Sequence, residues 1–223
     1  RAAIQFRDFG YGEPVLVGRT EKVKAKLREL AVDDPDSYTI ENSKTSDKVP
    51  AMVDYLYERL QRRGYTERDV ARMVNQERNV FSALLVALGH GDAMISGLTR
   101  TFAQTAREVN LVLDPKPEAL PFGIHMMIGK THTTFMADTT INERPSAKDL
   151  AHIAKETAAV ARRMGHEPRV AFLSYSTFGN PSGKWLENIR DAVAILDADE
   201  VSFEYEGEMA PDAALNPKVM ELY

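Results

Sequence analysis

The chain has 223 residues, 43% hydrophobic and 27% charged, with a net charge of −5, the composition of a soluble globular protein of one large or two small domains. It has no cysteine, which excludes disulfides, thiolate catalysis and thiolate metal sites, and it has no apolar run of membrane-spanning length. Its mild acidity argues against a general nucleic-acid partner, which needs a basic face. No signal-peptide pattern opens the chain, so a cytoplasmic location is expected.

In chain order, AAIQFRDFG reads as a helix and EPVLVG (13–18) as a buried strand. Thr20 is expected to cap the charged helix EKVKAKLREL, and residues 38–41 to form a second strand. A polar connector, SKTSDKVP, leads to a helix over 52–63 that stops at Gly64. Thr66, with Asp69 three residues on, resembles a capping box. The helix RNVFSALLVALG (78–89) is apolar nearly all round and should be deeply buried. DAMISG (92–97) reads as a strand ending in glycine, followed by the helix LTRTFAQTAREVNLVL.

DPKPEALP (114–121) carries three prolines and reads as a linker, dividing the chain into subdomains at 1–116 and 117–223. Beyond it FGIHMMI and TTFMAD form two strands around the turn GKTH. Ser146 caps a long helix closed by Gly165. Strand RVAFLS, helix KWLENIRDAVAIL, strand VSFEYE and a last helix from about Pro211 complete the chain. Strands separated by long helices imply an α/β fold with a largely parallel sheet, whose ligands sit beyond the carboxyl ends of the strands.

Four loops at such ends carry the candidate chemistry. In the first, Ser96 and Gly97 precede a helix start with Thr99, Arg100 and Arg107. Backbone N–H groups there attract phosphate and arginine can clamp it, and the spacing of seven sets the two arginines on one helical face. The bland alternative is a capped helix with two solvated arginines. In the second, Asp138 with Thr139 and Thr140 either holds a ligand or closes the strand by an Asx turn. The third, LSYSTFGNPSGK, offers Ser174, Ser176 and Thr177. It is neither a Walker loop nor a nucleophile elbow, and it holds no histidine to act as base, so a hydroxyl-lined binding loop is the better reading. In the fourth, Glu206, Glu208 and Asp212 could hold a cation, although turn and helix-start charges explain them as well. His125 and His132 flank the predicted hairpin and could meet, although surface or turn positions are the better reading.

In order and spacing, PVLVGR, DAMISGLTRTF, FMADTTIN, PSAKDLAHIA, GHEPRVAFLSYSTFGNP and EGEMAPDAALNP resemble the phosphate acetyl/butyryl transferase family over nearly the whole chain. LYERLQRRGYTERDVARMVNQERNVFSALLVALG further resembles the transferase-like C-terminal region of bacterial two-part malic enzymes. The resemblance implies a three-layer α/β/α fold of the isocitrate/isopropylmalate dehydrogenase type, with two subdomains, a cleft that takes coenzyme A and acetyl phosphate, and an arginine matched by Arg107. It also implies departures. The transferases read STKG where this chain has Ser176-Thr177-Phe178-Gly179, so an aromatic ring stands in place of a cation. Leu60, beside Arg59, falls where they place an arginine, and their C-terminal Ser-Arg-Gly segment is absent, as expected of a fragment of the full domain.

The resemblance therefore implies a non-catalytic regulatory domain that assembles a homo-oligomer (dimer or higher) and binds acetyl-CoA as effector through Ser96, Thr99, Arg100, Arg107, Ser174, Ser176 and Thr177. NAD(P) and a divalent metal would belong to malic domains N-terminal to it on the same chain. The alternative is a working phosphate acetyltransferase moving acetyl between acetyl phosphate and coenzyme A.

Overall fold

The structure, a computed structural model, describes residues 1–223 apart from Glu118 and Thr131. Those two residues belong to the predicted linker and the predicted GKTH turn, and those parts of the two expectations lie outside the described residues. The chain divides into two compact units, Arg1–Asp114 and Pro115–Tyr223.

The first unit begins with α1 (Ala2–Asp8), β1 (Leu16–Val17) and α2 (Thr20–Glu29), followed by β2 (Ile40–Glu41), which pairs parallel with β1. The cap of α2 differs from expectation. Arg19 occupies the N-cap position without a side-chain bond, and Thr20 is already the first helical residue. The core is helical. In α3 (Val49–Leu60), α4 (Glu67–Gln76) and α5 (Arg78–Ala87), apolar residues recur at helical spacing and bury Met52, Leu56, Leu60, Val70, Val74, Phe81 and Leu84 completely. α3 runs into a short 3₁₀ turn that ends at Gly64, whose φ of 87° gives the left-handed stop. Thr66 and Asp69 form the expected reciprocal capping box at the start of α4. α6 (Phe102–Asn110) closes the unit, with Thr101 as its cap.

DAMISG is not a strand. Among the described residues no strand lies beside it to complete a hydrogen-bonded ladder, and Ile95 stays 94% exposed. A short apolar run, Ala93-Met94-Ile95, favours an extended chain but cannot supply a partner for its backbone. For the same reason the expected largely parallel sheet is present, among the described residues, as three two-stranded pairs.

The second unit opens with the hairpin β3 (Ile124–Ile128) and β4 (Thr133–Ala137), antiparallel as expected. Its register sets His125 opposite Met136, while the His132 carbonyl accepts from the Gly129 amide, so the two histidines stand at opposite ends of the hairpin. α7 (Ala147–Arg163) starts at Ser146 in a second capping box, with Asp149. β5 (Arg169–Leu173), α8 (Lys184–Ala198) and β6 (Glu204–Met209) form a right-sized crossover unit in which β5 and β6 run parallel. Ala151 and Ala154 of α7 pack with its Phe172, Ala192 and Leu196 to form a buried core. α9 (Pro211–Leu215) and α10 (Pro217–Met220) end the chain. Among the described residues no helix is long and apolar enough to cross a membrane.

Candidate functional site

In the first unit the candidate residues surround a small polar cluster. Asn79 on α5 and Glu108 on α6 are both buried. The Asn79 amide donates to Glu108 Oε2 at 2.8 Å, and its carbonyl accepts from Ser96 Oγ at 2.6 Å. Gln104, one turn before Glu108, donates to Oε1 at 2.8 Å. Ser96 is thus held by the cluster. Arg100 lies in the loop ahead of α6, where its guanidinium pairs with Glu77 at 2.9 Å. The expectation that Arg100 and Arg107 share a helical face fails, because α6 begins only after Thr101. Arg107 is on the helix and exposed, with no side-chain ion pair among the described residues, and Thr99 is exposed beside Arg100.

In the second unit the 174–179 loop follows β5, at the carboxyl end of a parallel pair. Ser174 Oγ accepts from the Ser176 amide and donates to the Ser176 carbonyl, both at 2.8 Å, which tightens the turn. Ser176 is fully buried, and its hydroxyl donates to Glu208 Oε1 at 2.9 Å. Thr177 is also buried, and its Oγ1 accepts from the Ala210 amide at 3.1 Å. Arg190 of α8 forks onto Glu208, Nη2 to Oε1 at 2.9 Å and Nε to Oε2 at 3.2 Å. Burial alone would raise the Glu208 pKa. The bonds from Arg190, Ser176 and the Gly179 amide outweigh it and hold the carboxyl below its ordinary range. Tyr175 and Phe178 face outward, and the Phe178 ring meets Tyr223 edge-on.

The Asp138 alternatives resolve toward the turn. Its carboxylate accepts from the amides of Gly123, Thr140, Ile141 and Asn142 and from the Asn142 side chain. Burial pushes its pKa up, but these donors win and lower it to about 2. A carboxylate so fully engaged is a structural anchor. Glu206, Glu208 and Asp212 do not converge, since Glu206 accepts from Gly207, Asp212 from Ala213, and Glu208 from the loop. Among the described residues no three His, Asp or Glu side chains are placed to hold a metal ion.

Sequence reasoning passed over Asn79, Glu108 and Arg190. Asn79 could have been found as a polar residue on a helix otherwise bound for the core, whereas Glu108 sits on a helix that buries no apolar side chain and gives no such signal. Arg190 carries no such signal, because its partner lies 18 residues away. A shallow hollow of about 370 Å³, lined by Lys116, Phe122, His152 and Glu156 among others, contains none of the predicted site residues.

Residues 1–222 match the family described as phosphate acetyl/butaryl transferase. The chain belongs to that family. It is 44% identical to an NADP-dependent malic enzyme of Rhizobium meliloti, over all of this chain but only 29% of that protein. It is 32% identical to a phosphate acetyltransferase of Bacillus subtilis, over 93% of this chain and 64% of that one. Among solved structures, a phosphotransacetylase from Streptococcus pyogenes superposes with a TM-score of 0.85 at 30% identity, over the whole of this chain and 68% of that one. The EutD phosphotransacetylase from Staphylococcus aureus gives 0.79 at 28% identity, over 99% and 68%. The mixed α/β fold is therefore that of the phosphotransacetylases. The chain spans less than a third of the length of the malic enzymes it matches, as their phosphotransacetylase-like part.

Proposed function

We propose that this phosphotransacetylase-like domain is the regulatory and oligomer-forming part of a malic enzyme and binds acetyl-CoA as an allosteric effector without catalysing acyl transfer itself. The observation that carries the non-catalytic half is the state of Ser176. Its hydroxyl is 0% exposed, so it does not reach a substrate, and the Glu208 carboxylate it donates to is paired with Arg190 and held below its ordinary pKa range, which makes it a poor base. Phe178 adds to this, since a ring cannot balance the charge of a phosphate. Of the predicted effector contacts, Ser96, Thr99, Arg100 and Arg107 in the first unit and Ser174 in the second keep accessible surface, whereas Ser176 and Thr177 are buried and act by shaping their loop. Oxidative decarboxylation of malate, with NAD(P) and a divalent metal, belongs in this reading to N-terminal domains of the same cytoplasmic chain. The layering is read as the isocitrate/isopropylmalate dehydrogenase type.

Allostery requires acetyl-CoA to bind two global states with different affinity. The test is malate-dependent NAD(P)H formation by the full-length protein during an acetyl-CoA titration. A saturable change in rate supports the proposal, and malate oxidation indifferent to acetyl-CoA defeats the effector role. The competing reading, a working phosphate acetyltransferase, draws on the similarity to the Bacillus subtilis enzyme and on the exposed Arg107. Coenzyme-A-dependent release of phosphate from acetyl phosphate would establish it.

A further inference from the structure

β6 breaks its own alternation at one place. Phe172 pairs with Gly207 and Leu173 with Met209, so Glu208 is the extra residue of a bulge. Neighbours on a regular strand point to opposite faces, yet Glu208 and Met209 are both buried, at 1% and 2% exposure. Glycine at 207 permits the close approach, because a Cβ there would stand 2.7 Å from the Phe172 Cβ and 2.9 Å from its carbonyl oxygen. The bulge turns the Glu208 carboxylate into the 174–179 loop.

Oε1 then accepts from Ser176 Oγ at 2.9 Å, the Gly179 amide at 3.0 Å and Arg190 Nη2 at 2.9 Å, three donors from two separate elements. The Glu208 carbonyl accepts the Phe178 amide at 2.9 Å. Both amides of a left-handed step, φ 45° at Phe178 and 91° at Gly179, therefore end on one residue. Phenylalanine disfavours that backbone conformation, and the turn is held by the reciprocal Thr177–Asn180 backbone bonds within it and by Glu208 from outside. Burying a carboxylate is costly unless it is paired and hydrogen-bonded; Arg190 supplies the pair, and the loop in this form supplies the two further donors, Ser176 and Gly179. Ser176 and Thr177 are turned inward, so Tyr175 and Phe178, 64% and 45% exposed, make the outward surface of the loop.

We propose that Glu208 is a positioning residue that, with Arg190 as its counter-charge, sets the Ser174–Gly179 loop in the form that presents Tyr175 and Phe178 to acetyl-CoA. The ligand half rests on the acetyl-CoA reading above, whereas the loop half stands on the geometry. The experiment compares full-length wild type, Ser176→Ala, Arg190→Gln and the double variant Arg190→Gln/Glu208→Gln. It reads acetyl-CoA affinity by calorimetry, amide exchange of residues 176–180, and thermal unfolding. Arg190→Gln strands a buried charge and is expected to unfold earlier. The neutral double variant relieves that charge and is expected to unfold near the wild-type temperature. If the inference holds, the double variant still loses about tenfold in affinity, and its 176–180 amides exchange about tenfold faster than in wild type. Ser176→Ala, which removes one donor, shifts both in the same direction. Affinity and exchange that return with the melting temperature would reduce Glu208 to a structural role and overturn the proposal. Wild-type protein without saturable acetyl-CoA binding would instead sink the effector reading and the ligand half of this inference, while unchanged exchange in the variants would sink the loop half alone.

Discussion

Asn79 joins Glu108 to Ser96, since its amide donates to the buried carboxylate at 2.8 Å while its carbonyl takes the serine hydroxyl at 2.6 Å. Both ends of one side chain are therefore in use, and its replacement takes a partner from Glu108, Ser96 and Thr105. Asn79→Ala is expected to cost about 1–3 kcal/mol in urea unfolding. Asn79→Asp, which sets a second carboxylate against Glu108, should cost more than alanine. The reverse order would show that the cluster does not hold the loop.

Helix starts make a graded set. Thr66 and Ser146 each accept from the backbone amide three residues on, and alanine at either position should cost about 1 kcal/mol. Thr20, which makes no cap bond, should tolerate alanine within about 0.5 kcal/mol. Chemical denaturation of the three variants side by side checks the order.

Asp138 makes acid stability a test of the turn. Its folded pKa, about 2, is depressed relative to the ordinary value near 3.9. A depressed carboxyl stabilises fully above its unfolded pKa, and that contribution is lost as pH falls through the folded pKa. The contribution, about 1–2 kcal/mol after allowance for solvent screening, should therefore be present above about pH 4 and fade toward pH 2. Asp138→Asn should flatten that part of the stability-against-pH curve. An unchanged slope would mean that the five donors do not act on its charge.

Arg107 separates binding from folding. The side chain is exposed and makes no ion pair among the described residues, so Arg107→Ala should change unfolding by less than about 0.5 kcal/mol. Under the effector reading it should weaken acetyl-CoA binding about tenfold by removing a charge-assisted contact. Calorimetry on the full-length protein decides this, and unaltered affinity would remove Arg107 from the site.

In the core, Phe81 is fully buried among the helices of the first unit. Phe81→Ala should cost about 3–5 kcal/mol through lost burial and the cavity left behind. Phe102, half-exposed at the start of α6, should tolerate the same change at a fraction of that cost, as thermal unfolding would show.

The sequence by itself determined the local elements: the capping boxes at Thr66 and Ser146, the glycine stop at Gly64, the buried helix at 78–87, the β3–β4 hairpin, and the family, through motifs in a fixed order. These are legible because the interactions behind them span only a few residues, or repeat with the period of one element. Tertiary structure decided the rest. DAMISG has the composition of a strand, but a ladder needs a neighbour, and among the described residues none stands beside it. Ser176 reads as a binding hydroxyl until a bulge on β6, 32 residues later, turns Glu208 toward it. Arg190 has no local reason to matter and acquires one only where α8 carries it over that carboxylate. Partners distant in the chain meet because packing brings them together, and the energy of a buried charge is set by which of them arrive.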